Sequence, residues 1–330
     1  MKALVYAGAR RVELRELQRP RAAGDDVLFQ VEAVGICGSD LHAYRGEDPR
    51  RVPPVVLGHE FAGIVASGPA AGMRATASPL VPGGRCEYCG QGRTNLCANR
   101  QSIGLTRPGA FADYVLVPAQ NLIELPPGLD ATHAALTEPA ATALHALHLA
   151  MRAAQRPLPE CSMLVIGGGA IGMLAALLAR AYGVQRLTVA EINPLRRASV
   201  ERHVGCAVYD PLAGGGPGDG SVDVVVDAVG AKGSRNAAFA AVKPGGVIMH
   251  IGLQDRASEI DMRKLTLAEI TLSGSYTYTT ADLRATVAAL HAGVFGDLAW
   301  VETRRLGDGA AAFEDLDQGR SAAAKIVLRP

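Results

Sequence analysis

The sequence predicts an α/β protein built from two parts, a small β-rich domain and a doubly wound parallel-sheet domain. Three observations carry that expectation. The first third of the 330-residue chain is rich in short strand patterns separated by Gly and Pro breaks. Beyond residue 156, strand and helix patterns alternate strictly. Between the first strand and the first helix of that alternation lies Gly167-Gly-Gly-Ala-Ile-Gly172, a glycine spacing suited to a tight strand-to-helix turn.

Residues 2–7, 12–17, 27–34 and 61–66 carry β-branched and aromatic side chains, and 111–117 continues the pattern. They read as strands of an antiparallel sheet. Residues 140–152 are rich in Ala and Leu at helical period, and Arg156-Pro-Leu-Pro-Glu160 ends that helix. The alternation then runs strand 163–166, helix 170–182, strand 187–190 and helix 194–203, the last opening on a proline. Residues 222–226 and 247–251 are apolar apart from Asp223 and His250, as expected of strands covered on both faces, and 270–273 closes the sheet. The glycine-rich 214–220 segment reads as a surface loop. After Tyr278 come a helix at 281–291 and a strand-like 325–328 that returns to the first domain. The expected division is therefore 1–140 with 278–330, and 141–277.

Lys and Arg number 33 against 32 Asp and Glu, which gives no electrostatic case for nucleic acid or an anionic membrane as partner. No apolar run approaches the length of a bilayer span; residues 171–181 are too few and include Arg180. The first eleven residues lack the charged-then-apolar order of a signal peptide, so the expected location is the cytoplasm. In that setting clustered cysteines favour metal over disulfide, whereas Cys161 and Cys206, outside any cluster, read as small buried hydrophobes.

The glycine motif has the features of a dinucleotide site. Gly167 permits the turn, Gly169 lets a pyrophosphate approach the backbone, and Gly172 lets helix and strand pack closely. Ala170 and Ile171 complete the loop at the helix N-terminus, which faces the phosphates. Glu191 ends the second strand, roughly 20 residues on, where a carboxylate holds a ribose 2′-hydroxyl. That favours NAD over NADP, with Arg196 nearby as a possible phosphate acceptor.

A second constellation precedes it. Gly35-Ile-Cys37-Gly-Ser39-Asp40-Leu-His42 is followed by Gly58-His59-Glu60. Thiolate, imidazole and carboxylate are all zinc donors, and three protein ligands leave the open position of a catalytic site. With Gly109-Ala-Phe-Ala-Asp-Tyr114, Glu138-Pro139 and the closing Lys325-Ile-Val-Leu328, these motifs span nearly the whole chain. Together they resemble the zinc-containing medium-chain dehydrogenase/reductase family. The spacing of Cys37 and His59 and the segment after Glu138 look most like its polyol branch, which holds sorbitol, threonine and galactitol-1-phosphate dehydrogenases.

The resemblance implies a GroES-like catalytic domain beside a Rossmann cofactor domain. It also implies a zinc-dependent enzyme moving a hydride between a secondary alcohol or polyol, including a sugar alcohol or its phosphate, and NAD. Cys37 and His59 match constant zinc ligands, Glu60 a residue that binds zinc or swings away, and Glu138 the remaining ligand position. Ser39 matches the hydroxyl that contacts the reacting alcohol, His42 an extension of the proton relay, and Asp40 the carboxylate that orients a ligating histidine. Relatives assemble as homodimers or homotetramers.

Cys86, Cys89 and Cys97 match a lobe that in the family often carries four cysteines around a structural zinc, but Gly83 stands at the fourth position. No metal, a three-cysteine site completed by water or a neighbour, and an oxidised pair all remain open. Arg45, Arg50 and Arg51, between the two ligand motifs, read as a solvated charged turn, with an anionic substrate group as the alternative. Two rival functions are a zinc-free NADPH quinone or enoyl reductase on the same fold and a non-catalytic NAD-binding sensor.

Overall fold

The computed structural model describes residues 1–330. The chain folds as two compact units, one of Met1–Pro139, Thr279–Ala292 and Val301–Pro330, the other of Ala140–Tyr278 and Gly293–Trp300. The short 293–300 segment joins the second unit by burying Phe295, Leu298 and Trp300.

The first unit is organised around one ten-residue strand, Asp26–Gly35. Glu60–Val65 pairs antiparallel along one edge; Tyr114–Pro118 and Lys325–Arg329 share the other, the former near its start and the latter at its end. The sheet extends through Arg74–Ala77 and Leu122–Glu124 on one side and Val301–Arg305 on the other. A separate three-stranded sheet is formed by Arg11–Glu16, Lys2–Gly8 and Val55–Val56. The core between them includes Phe29 packed edge-on to Phe61 and Phe313 packed edge-on to Phe111.

Two details depart from the sequence expectation. Val301–Arg305 and Lys325–Arg329 pair in parallel rather than antiparallel. A parallel pair needs a crossover, supplied here by the helix Gly309–Asp317, whose short Ala-rich sequence carries little periodic signal. The strand expected at 111–117 begins only at Tyr114, because Phe111 and Ala112 turn inward and are fully buried.

The second unit is a six-stranded, wholly parallel sheet. Its order is Ala207–Tyr209, Arg186–Ala190, Ser162–Ile166, Val222–Asp227, Val242–His250 and Thr271–Gly274, the doubly wound order with its switch point at the first strand. The edge strand Ala207–Tyr209 and the helix Lys232–Ala241 were not legible in the sequence: one is three residues long and the other opens on Lys-Gly-Ser-Arg-Asn. Helix Ala170–Ala181 buries every residue from Gly172 to Ala179. It lies so close to the preceding turn that a Cβ at Gly172 would collide with the Gly167 carbonyl. No helix of the chain is long and apolar enough to cross a membrane.

Asp223 ties together the entry ends of three neighbouring strands. Its carboxylate accepts the Ser162 backbone N–H at 2.7 Å, the Ser162 hydroxyl at 2.6 Å, Lys243 Nζ at 2.9 Å and Arg156 Nη2 at 2.7 Å. Burial pushes its pKa up, but these four donors outweigh that and hold it far below the ordinary carboxylate value. A depressed folded pKa gives stability that is present above the unfolded value of about 4 and fades as pH falls through the folded one. Asp223→Asn is therefore expected to cost ~2 kcal/mol at neutral pH, the scale of hydrogen bonds to a charged group. The difference from wild type should shrink in urea melts run at progressively more acid pH.

Candidate active site and cysteine lobe

The register of the central strand assembles the site. Gly35 pairs with Glu60 on one edge and with Val327 on the other, so the strand's end lies between the Glu60 and Lys325 segments. Gly35 must be glycine there, since a Cβ would collide with Glu60 Oε2. The chain then leaves the sheet, and Cys37 becomes the N-cap of the helix Gly38–Tyr44. Its sulfur accepts the Ser39 N–H at 3.5 Å, while Asp40 Oδ2 reaches back to the Cys37 N–H at 3.1 Å. This reciprocal capping box fixes Cys37, Ser39 and Asp40 in one turn.

Cys37, His59 and Glu60 each present a ligand atom, all within 4.8 Å of one another. Asp40 is fully buried, with Oδ1 3.6 Å from His59 Nδ1. The imidazole thus turns Nδ1 toward a carboxylate and keeps Nε2 for another partner, the arrangement of a metal-ligating histidine. Burial by itself would drive the proton off His59, but the Asp40 carboxylate and Cys37 outweigh it and hold the pKa well above its ordinary value. Burial likewise pushes Asp40 up, and His59 and Arg51 bring it below the usual carboxylate range. The surroundings favour positive charge at this place, and Asp40 Oδ1 remains a buried oxygen without a hydrogen bond. Both features fit a bound cation.

Glu60 rests on a lysine that sequence reasoning did not single out. Lys325 Nζ lies 2.7 Å and 2.5 Å from the two Glu60 oxygens and 2.8 Å from the Ile36 carbonyl, which uses all three of its protons. Both side chains are out of water. Burial disfavours the ammonium, yet Glu60, Cys37 and Glu138 together raise the Lys325 pKa above its ordinary value. Glu138, near the start of helix Thr137–Ala153, is outside the three-atom group but close enough for its charge to act on Lys325.

The other expected relay residues are placed as follows. Ser39 Oγ accepts from Arg51 Nη2 at 3.2 Å. His42 Nδ1 lies 3.0 Å from Glu47 Oε2, and no hydrogen bond joins His42 to Ser39. The three arginines of the intervening turn differ sharply. Arg45 pairs with Asp317 at 2.6 Å and Arg50 with Asp48 at 2.8 Å, whereas Arg51 is buried and turned inward. The expectation of a solvated turn fails for Arg51, because its neighbours Asp40 and Asp48 are themselves buried and compensate its charge.

In the cysteine lobe, the sulfurs of Cys86, Cys89 and Cys97 lie within 4.8 Å of one another, Cys86 and Cys89 at 3.5 Å. The Gly83 N–H donates to Cys97 Sγ at 3.3 Å, and a Cβ on Gly83 would stand 3.7 Å from that sulfur. Position 83 thus adjoins Cys97, where the resemblance puts the fourth ligand, and carries no side-chain ligand. The Gly83 and Asn99 N–H groups lower the Cys97 pKa, while burial raises that of Cys89. Three thiols and a bare corner do not fit a closed tetrahedral zinc. Cys161 and Cys206 are buried, and burial pushes the Cys206 thiol up to about 11.

In the other unit, Gly169 is the N-cap of helix Ala170–Ala181 and no side chain caps it, so the N–H groups of Ala170, Ile171 and Gly172 have no intrahelical partner. Glu191 Oε2 accepts the Gly168 N–H and Oε1 the Asn193 N–H, both at 2.7 Å. The carboxylate thereby sits over the glycine loop opened by Gly167. Arg196 Nε is buried without a partner.

The Glu60–Lys325 pair gives a direct test of this geometry. Lys325→Met should cost about 3–5 kcal/mol, the scale of leaving one buried charge unpaired. Adding Glu60→Gln should recover much of that loss, as measured by urea unfolding of the single and double variants.

Comparison with known proteins identifies the fold and the family. Residues 23–127 match the alcohol dehydrogenase GroES-like domain and residues 170–292 the zinc-binding dehydrogenase domain. L-threonine 3-dehydrogenase of Mesorhizobium japonicum is 31% identical over 99% of this chain and 98% of its own. L-galactonate-5-dehydrogenase of Escherichia coli K12 is 31% identical over 86% of this chain and 85% of its own. A crystal structure of a Sinorhizobium meliloti 1021 protein, described as a zinc-binding dehydrogenase and bound to NADP, superposes with a TM-score of 0.88. It is 32% identical and covers 100% of this chain and 99% of that one. The chain belongs to the zinc-containing medium-chain dehydrogenase/reductase family of NAD(P)-dependent alcohol and polyol dehydrogenases.

Proposed function

We propose that this chain oxidises a secondary alcohol or polyol with NAD, holding one catalytic zinc through Cys37, His59 and one or both of Glu60 and Glu138. The carrying observation is the three-donor cluster, backed by Asp40 behind His59 and Lys325 behind Glu60. When bound, zinc supplies a Lewis acid that favours ionisation of the alcohol, and the nicotinamide supplies the hydride acceptor.

The chain's own residues do the rest. Asp40 orients the His59 ring. Lys325 gives the Glu60 carboxylate a second resting place beside the cluster, which leaves Glu138 to share the ligand position with it. Ser39 receives the substrate hydroxyl proton, and His42, paired with Glu47, carries protons onward to solvent. The unpaired helix N–H groups at Ala170–Gly172 receive the pyrophosphate, and Glu191 receives the ribose hydroxyls. Arg196, with its buried unpartnered Nε, is the group that would accept a 2′-phosphate. The bare corner at Gly83 supports a lobe without a closed structural zinc.

The substrate class follows the relatives that act on L-threonine and L-galactonate: a small molecule with a secondary hydroxyl. We propose a homodimer or homotetramer built through the edge strand Thr271–Gly274. Exposed apolar side chains near it in sequence, Leu253, Met262, Leu267, Leu272 and Tyr276, support this. Six unpaired thiols support a reducing, cytoplasmic setting.

Absorbance at the reduced-nicotinamide band, followed with sugar alcohols, secondary alcohols and amino alcohols, should rise with zinc-loaded protein. Activity of zinc-free protein with quinones or enoyl substrates, or silence across the whole panel, would replace this reading by one of the rival functions. Cys37→Ser should abolish turnover while leaving NAD binding intact. Glu191→Ala should weaken NAD and relax discrimination against NADP. Metal analysis should find one zinc per chain and Gly83→Cys should gain a second; two in the wild type would contradict the open lobe.

A further inference from the structure

We propose that Arg51 is a positioning residue for proton transfer: its guanidinium holds the Ser39 hydroxyl so that one acceptor lone pair and one proton are left free for the reaction. The inference rests on the proposed role of Ser39 as the hydroxyl that takes the substrate proton.

Arg51 is 5% exposed although it lies in a loop of charged residues. Its side chain is held from three separate stretches of chain. Nη1 donates to the Ser39 carbonyl at 2.8 Å and to Asp48 Oδ2 at 2.9 Å. Nη2 donates to Ser39 Oγ at 3.2 Å and stands 3.7 Å from Asp40 Oδ1, and Nε points to the Gly104 carbonyl at 3.3 Å. The planar fork thus grips both the backbone and the hydroxyl of the same serine. A lysine, with one compact ammonium, cannot reproduce that pair of contacts.

The consequence comes from counting. A serine hydroxyl has one proton to give and two lone pairs, and a guanidinium has donors only. Arg51 therefore occupies one lone pair and never competes for the proton. What remains is one lone pair and one proton, the minimum a relay needs. In the oxidation direction the substrate O–H would give its proton to the free lone pair, and the nicotinamide, when bound, would supply the acceptor for the carbon's hydride. The original Ser39 proton leaves outward to solvent, so Ser39 is neutral before and after. Carbonyl reduction runs the same proton inward. Without Arg51 the hydroxyl turns among its staggered wells, and water takes the vacated lone pair.

The test uses zinc-loaded enzyme, NAD and the panel alcohol of fastest wild-type turnover. Arg51→Lys and Arg51→Ala are expected to lower kcat by about 10–100-fold, the scale of a misplaced reacting group, with KM changed by less than about threefold. Guanidinium ion added at millimolar concentration should restore part of the Arg51→Ala rate. In a Ser39→Ala background the Arg51 change should alter kcat by less than about twofold, because the group it positions is gone. Wild-type kcat in the Arg51 variants, or equal losses with and without the serine hydroxyl, would overturn the proposal in favour of a merely structural arginine. A crystal structure of Arg51→Lys decides the matter even if no panel alcohol reacts. Ser39 spread over more than one rotamer supports positioning, and a single unchanged rotamer refutes it. Inertness of the wild type would instead count against the alcohol reading alone.

Discussion

The site depends on a buried ion pair at the end of one strand. Taking Glu60 and Lys325 out of water costs several kcal/mol per ion unless each finds its counter-charge in good geometry. Here the lysine spends all three protons on the Glu60 carboxylate and the Ile36 carbonyl, and the space comes from the missing side chain at Gly35. The pair joins a residue near the chain's start to one near its end. The final strand cannot leave the sheet without exposing or stranding a charge beside the candidate metal donors.

A second set of charges is balanced a few ångströms away. Asp40 faces His59 and Arg51, and Arg51 also faces Asp48. Every charged group in this buried cluster has an opposite neighbour, yet one Asp40 oxygen still lacks a hydrogen bond. Such a network is rigid where it is satisfied. The incomplete spot lies next to the imidazole whose free nitrogen serves the cluster, where a cation's charge is favoured. The capping box of the helix Gly38–Tyr44 uses the same Asp40, so the turn that starts the helix also sets the site's electrostatics.

The cysteine lobe shows the opposite outcome. Its three sulfurs keep the proximity of a metal site, but glycine stands where the fourth donor belongs, with its N–H bonded to Cys97. Turn hydrogen bonds, such as that from the Gly92 N–H to the Cys89 carbonyl, hold the backbone of the lobe. Resemblance of a loop and retention of its metal are separate questions, and the donor set bears on the second.

The sequence alone determined much of this protein. Apolar stretches at 163–166, 222–226 and 247–251, broken only by Asp223 and His250, suit strands covered on both faces, and glycines at 167 and 172 stand where a side chain would collide with its neighbours. The candidate donors Cys37, His59 and Glu60 were legible because thiol, imidazole and carboxylate in adjacent motifs, taken together, have few other common uses. Short or weakly periodic elements, the strand Ala207–Tyr209 and the helices Lys232–Ala241 and Gly309–Asp317, were not, since their formation is settled by the neighbours they pack on. The same holds for Lys325 and Arg51. Each looks like an ordinary surface cation in one dimension, 265 residues from Glu60 in the first case and amid a charged turn in the second. Only the tertiary structure decided that they are buried, because a charge is stable out of water only where distant parts of the chain bring it a partner.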